Sequence, residues 1–179
     1  MAFFEKTVKS DIKYVGRIVT IRDDTVELQN GNLSHREVVE HNGGVGIVAV
    51  DDDGFVYLVR QYRYPMEREL LEVPAGKLEQ GEDPFECAVR ELSEETGFTA
   101  GKMSYLGKLY PSPGHCRETL YLYLAQDLTG GARHLDPDEF LDVERYPFDE
   151  ALRMVTDGTI CDAKTSLGLL LAEKVIRGS

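Results

Sequence analysis

The stretch GKLEQGEDPFECAVRELSEETGF, residues 76–98, decides the fold. Asp83 is a good helix N-cap, Pro84 suits the first helical position, and Glu86 stands three beyond the cap, where a capping-box partner belongs. A helix is therefore predicted from Pro84 to Thr96, closed by Gly97 as a left-handed cap. Phe85, Ala88, Val89 and Leu92 recur at three- and four-residue spacing and form the expected buried stripe. Arg90, Glu91, Glu94 and Glu95 fall on another side, with Glu91 and Glu95 one turn apart. Two carboxylates at that separation repel unless a cation lies between them, and a hard divalent ion, Mg²⁺ or Mn²⁺, suits oxygen ligands. Taken alone, such a pair is more often a solvated acidic face. Its setting in the longer pattern is what favours a metal.

The rest of the composition bounds the function. A chain of 179 residues, 42% hydrophobic and 29% charged, suits one soluble domain with a proper core. The N-terminus, MAFFEKTVKSDIKY, has no cleavage-site pattern, and no segment approaches 18 apolar residues, so a cytoplasmic protein without a membrane anchor is expected. Cys87, Cys116 and Cys161 are odd in number and widely spaced, against disulfides and against a zinc site. A net charge of −12 without a basic stripe argues against nucleic-acid binding. The same field would repel a phosphate-bearing substrate unless bound cations reversed it locally.

Residues 11–41 read as a first β unit, with strands over Ile12–Arg22, Thr25–Leu28 and Arg36–Glu40, broken at Asp23-Asp24 and at the Asn30-Gly31-Asn32 turn. Asn42-Gly43-Gly44 marks a boundary, dividing the chain into units 1–41 and 42–179. Strands are expected at Val45–Val50, Phe55–Tyr62, Leu70–Val73, Met103–Tyr110, Thr119–Ala125 and Phe140–Tyr146, with a polar acidic loop over residues 127–139. Phe148–Thr156 and Ala163–Ile176 read as helices, with Gly158 and Gly178 just past their ends. Helices on both sides of a mixed sheet make an α/β/α sandwich, to which a small antiparallel β unit is added at the N-terminus.

Gly76, five residues, Glu82, seven residues, then Arg90-Glu91-Leu92-Ser93-Glu94-Glu95-Thr96-Gly97-Phe98 matches the full signature of the Nudix hydrolases, which this chain therefore resembles. Val59-Arg60-Gln61-Tyr62-Arg63, Leu71-Glu72-Val73-Pro74-Ala75 and Pro111-Ser112-Pro113-Gly114 extend the resemblance to the ADP-ribose pyrophosphatase branch over most of the chain. The resemblance implies the Nudix fold and hydrolysis of a nucleoside diphosphate linked to a sugar, with ADP-ribose preferred. GDP-mannose or another nucleotide sugar is the alternative, then a nucleoside triphosphate or a non-hydrolytic ADP-ribose sensor. It implies two to three Mg²⁺ or Mn²⁺ ions held by Glu91, Glu95 and the Ala75 carbonyl, with Glu139 as a further ligand or the general base. Glu94 is the other candidate base, and Arg90 with Glu82 would orient the acids. Arg63 aligns with a phosphate-contacting arginine. Glu79, Gly114 and Glu118 align with residues near the ribose units or the metals, and Arg17, Ile18 and Glu37 with those that hold the base. Finally, it implies a homodimer in which the N-terminal units are exchanged to cover Ile12, Val15, Ile18, Val19 and Ile21.

Overall fold

A computed structural model of the chain describes residues 3–135 and 140–178. Its backbone forms two compact units, one made of the residues up to Gly43 together with Tyr110–Thr119, the other of Gly44–Leu109 and the residues from Leu120 onward.

The first unit is an antiparallel meander of β1 (Lys6–Val15), β2 (Thr20–Glu27) and β3 (Leu33–Glu40). The Tyr110–Thr119 segment joins β3 through Val39 N–H to His115 O (2.8 Å) and Arg117 N–H to Val39 O (2.9 Å). Two expectations fail here. The strand expected over Ile12–Arg22 is interrupted, because the chain reverses at Gly16, whose N–H bonds to Val19 O. A Cβ there would stand 2.6 Å from the Tyr14 ring, which lies over the reversal. Asp23-Asp24, expected to break a strand, lies inside β2. Asp24 is buried, accepts a hydrogen bond from the Ser10 hydroxyl and is ion-paired with Arg22 at 3.1 Å, so the strand continues through it. The Asn30-Gly31 turn forms as expected, with Gly31 at φ +82°.

The second unit holds β4 (Gly44–Val50), β5 (Phe55–Arg63), β6 (Arg68–Glu72), β7 (Ala75–Lys77), α1 (Pro84–Thr96), β8 (Phe98–Leu109), β9 (Leu120–Gly130), β10 (Leu141–Pro147), α2 (Phe148–Thr156) and α3 (Ala163–Arg177). Its mixed sheet runs β10-β5-β4-β9-β8, with β6 paired to β5 and β7 to β4. β4 and β9 are parallel; the other pairs are antiparallel. β4 is buried throughout, as befits a central strand covered on both faces. Its alternating side chains separate two cores. Val45, Ile47 and Ala49 pack with Cys87, Ala88 and Leu92 of α1, while Val48 and Val50 pack with Phe148 and Ala151 of α2 and Leu169 and Ala172 of α3. The result is the α/β/α sandwich expected. The loop expected over residues 127–139 is shorter than its sequence suggests, because β9 continues to Gly130, and its residues 136–139 lie outside the described residues.

Candidate active site

α1 begins and ends where its caps require. Asp83 accepts the Phe85 N–H at 2.8 Å, and Gly97 closes the last turn at φ +75°, its N–H on Ser93 O. The stripe it buries differs from the one expected. Phe85 and Val89 are 42% and 40% exposed, while Cys87, Ala88 and Leu92 face the sheet. Phe85 instead meets the edge of Tyr123, ring to ring at 6.1 Å. The helix is rotated relative to its apolar pattern, and the rotation carries the carboxylates inward. Glu91 is 7% exposed and Glu95 2%.

Buried carboxylates need nearby donors. Arg90 donates through Nη1 to Glu91 Oε1 at 2.8 Å and to Glu94 Oε2 at 2.9 Å, while Nε and Nη2 hold Glu82 at 3.0 and 3.1 Å. The hydrogen bond to Glu82 leads the causes that raise the Arg90 pKa, and it draws the Glu82 carboxyl below its usual range. Glu82 in turn accepts the Glu79 N–H at 2.8 Å, which fixes the loop before the helix. Ala75 N–H donates to Glu95 Oε2 at 2.9 Å. Burial pushes the Cys87 thiol up to about 12, so it is an inert core group.

Gly76 explains how the acids enter. A Cβ at this position would stand 1.8 Å from the Glu91 carboxylate, so only glycine leaves room for it against β7. The Ala75-Gly76 backbone and the two helix carboxylates are thus brought together. Among the described residues, no three His, Cys, Asp or Glu side chains converge as a closed metal cage. Glu139, expected to add a further carboxylate or the base, lies outside the described residues.

Arg63 ends β5 and donates through Nε and Nη2 to both oxygens of Glu72, each at 2.7 Å. Glu72 is 1% exposed and also accepts from Lys164, which reaches Asp162 at 3.0 Å. Burial alone would raise the Glu72 pKa, but Arg63 and Lys164 more than offset it and hold the carboxyl below its usual range. Glu72, Asp162 and Lys164 carried no role in the sequence reading. A charged residue between the apolar Leu71 and Val73 was the available signal for Glu72; Lys164 offered none.

The remaining expected residues lie in the first unit. Glu37 and Gly114 line a groove of about 500 Å³ with Arg36, Tyr110, Pro113 and Arg117. Glu118 stands 3.4 Å from His41 Nδ1, which accepts the Gly43 N–H at 3.0 Å. Arg17 and Ile18 sit in the β1–β2 reversal, with Ile18 exposed.

The NUDIX domain model matches residues 40–166. An "ADP-ribose pyrophosphatase" of Bacillus subtilis is 41% identical over 167 residues, covering 92% of this chain and 90% of that protein. A "Methanol dehydrogenase activator" of Bacillus methanolicus is 43% identical over 169 residues, with 93% and 91% covered. A crystal structure of an "ADP compounds hydrolase" superposes with a TM-score of 0.86 at 26% identity, covering 97% of this chain and 95% of that one. With its signature intact, its caps in place and its sheet and helices in the family's arrangement, the chain belongs to the Nudix hydrolases.

Proposed function

We propose that this protein hydrolyses the pyrophosphate bond of a nucleoside diphosphate linked to a sugar, preferentially ADP-ribose to AMP and ribose 5-phosphate. The observation that carries the reading is the pair Glu91 and Glu95, buried one turn apart against the Ala75-Gly76 backbone. Such a pair is costly without cations, and the net charge of −12 makes cations necessary for a diphosphate to approach. Two to three Mg²⁺ or Mn²⁺ ions would be held by Glu91, Glu95, the Ala75 carbonyl and Glu139. When bound, they offset the diphosphate charge and lower the pKa of a water ligand.

The chain's own groups supply the rest. Arg63 donates to a phosphate oxygen, and Glu139, or failing that Glu94, takes the proton of the attacking water at a carboxylate oxygen. Arg90 holds Glu91 and Glu94 in orientation. Glu79, Gly114 and Glu118 border the ribose units, and Arg17, Ile18 and Glu37 hold the base. We assign dimerisation and base binding to residues 1–41 and hydrolysis to residues 42–179. The exposed apolar row on β1 supports a homodimer with exchanged N-terminal units. Three unpaired cysteines support a cytoplasmic setting.

The test is a phosphate-release panel with coupled phosphatase across ADP-ribose, GDP-mannose, other nucleotide sugars and nucleoside triphosphates. The expected result is Mg²⁺-dependent release that is greatest with ADP-ribose. A greater rate with triphosphates, or no hydrolysis of any member, would overturn the reading.

A further inference from the structure

Glu72 is a carboxylate withdrawn from water that has two cationic partners, where one would suffice. One of them, Arg63, uses Nε and Nη2 for the carboxylate; among the described residues no hydrogen bond occupies Nη1. The other, Lys164, stands in the first turn of α3 with its side chain 11% exposed. Its ammonium is shared between Glu72 and Asp162, so two cations and two acids form one chain of contacts, Arg63–Glu72–Lys164–Asp162.

The backbone under Lys164 is fixed to the strand that enters the active site. Asp162 caps α3 by accepting the Thr165 N–H at 2.9 Å, and the Thr165 hydroxyl donates to it at 2.6 Å. The same hydroxyl accepts the Val73 N–H at 2.9 Å. Two residues on, Ala75 N–H holds Glu95. Lys164, Glu72 and the Val73–Ala75 run are therefore placed by one short chain of bonds. A lone Arg63–Glu72 pair could rotate about χ torsions on either side. With Glu72 Oε2 also held by an ammonium from a helix end, the carboxylate plane is set, and a bidentate guanidinium must follow that plane.

We propose that Lys164 is a positioning residue of the active site: through Glu72 it fixes the guanidinium of Arg63 so that Nη1 is presented to an anionic phosphate. This assignment rests on the reading of the site as one for a nucleoside diphosphate. Lys164 does not touch substrate in this account, and nothing in the signature at residues 76–98 points to it.

The test is Lys164→Met, which keeps much of the stem and removes the ammonium, read by kinetics and by NMR of the Arg63 Nε–H signal, assigned with Arg63→Lys. Loss of one well-oriented charge-assisted contact to phosphate is expected to raise KM for ADP-ribose about tenfold, with kcat changed less than about threefold. The Arg63 Nε–H should shift and exchange faster with solvent. Should Lys164→Met not fold, Lys164→Gln, which can still donate to Glu72 without a charge, is read in the same way. Lys164→Arg, which retains the charge, should recover most of the lost affinity. A lowered Tm with unchanged KM and an unchanged, slowly exchanging Arg63 Nε–H would show a purely structural ion pair and overturn the proposal. If the wild-type protein hydrolyses no nucleotide sugar, the functional reading fails by itself, and the NMR measurement still decides whether Lys164 positions Arg63.

Discussion

Helix α1 buries Glu91 and Glu95 and leaves Phe85 and Val89 partly in solvent, whereas strand β1 exposes Val8, Ile12, Tyr14 and Val15 and buries none of its residues fully. Both depart from the usual sorting of polar and apolar groups, and for different reasons. In α1 the departure is partly met within the chain, because Arg90 and the Ala75 N–H donate to the carboxylates and the missing Cβ of Gly76 leaves Glu91 room, and the remaining charge is what a cation would offset. In β1 the apolar row, with Ile12 67% and Val15 70% exposed, has no such resolution among the described residues of its own unit. In the proposed function the buried acids of α1 belong to the reacting centre, and the uncovered apolar surface of the three-stranded sheet is where a partner subunit would pack. The comparison can be broken at either end.

The largest stability effect is expected where buried charge is densest. Glu72→Gln leaves Arg63 and Lys164 without their shared carboxylate and should cost about 3–5 kcal/mol by chemical denaturation at neutral pH. The sign with pH follows from the lowered pKa of Glu72. Its contribution is fully present above the ordinary value of 4.5 and is lost as the pH falls through its lower folded value. The gap between wild type and variant should therefore be widest above pH 4.5 and close on acidification; a gap that widened in acid would contradict the ion-pair account.

Gly76→Ala tests whether the carboxylate needs that space. With a Cβ only 1.8 Å from Glu91, overpacking should cost about 1–3 kcal/mol and displace Glu91, with hydrolysis falling more steeply than stability. At the other end of the comparison, Ile12→Lys should shift a dimer toward monomer in light scattering at micromolar concentration and change intrinsic stability within about 0.5 kcal/mol. A wild-type protein that runs as a monomer there would remove the second half of the comparison. A modest effect is expected for Phe85→Ala, below about 1.5 kcal/mol by chemical denaturation, since the ring is already 42% exposed and gains mainly its edge contact with Tyr123.

What could be read from the sequence was what is written locally. α1 runs from Pro84 to Thr96 because Asp83, Pro84 and Gly97 act on their immediate neighbours, and α2 was bounded correctly for the same reason of short-range pattern. The rotation of α1 was not legible. The apolar periodicity of Phe85 and Val89 competes with the space opened by Gly76, and that space exists only once β7 lies beside the helix. Asp24 read as a strand breaker because its partner Ser10 is brought to it only by the β1–β2 register. The chain of Arg63, Glu72, Lys164 and Asp162 was hidden for the same reason: Lys164 meets Glu72 across 92 positions of sequence. Short-range chemistry was visible, and groups assembled by topology were not.

The central claim is that Glu91 and Glu95 are buried to hold cations at the reacting diphosphate, and Glu95→Gln tests it most directly. The variant keeps the side chain's shape and an oxygen that can accept the Ala75 N–H, but removes one charge from the pair. Steady-state hydrolysis of ADP-ribose in Mg²⁺, beside thermal unfolding in EDTA, separates the two roles. The account predicts a fall in kcat of at least about 100-fold, with a Tm in EDTA equal to or above that of the wild type. Near-wild-type turnover in the folded variant would contradict it.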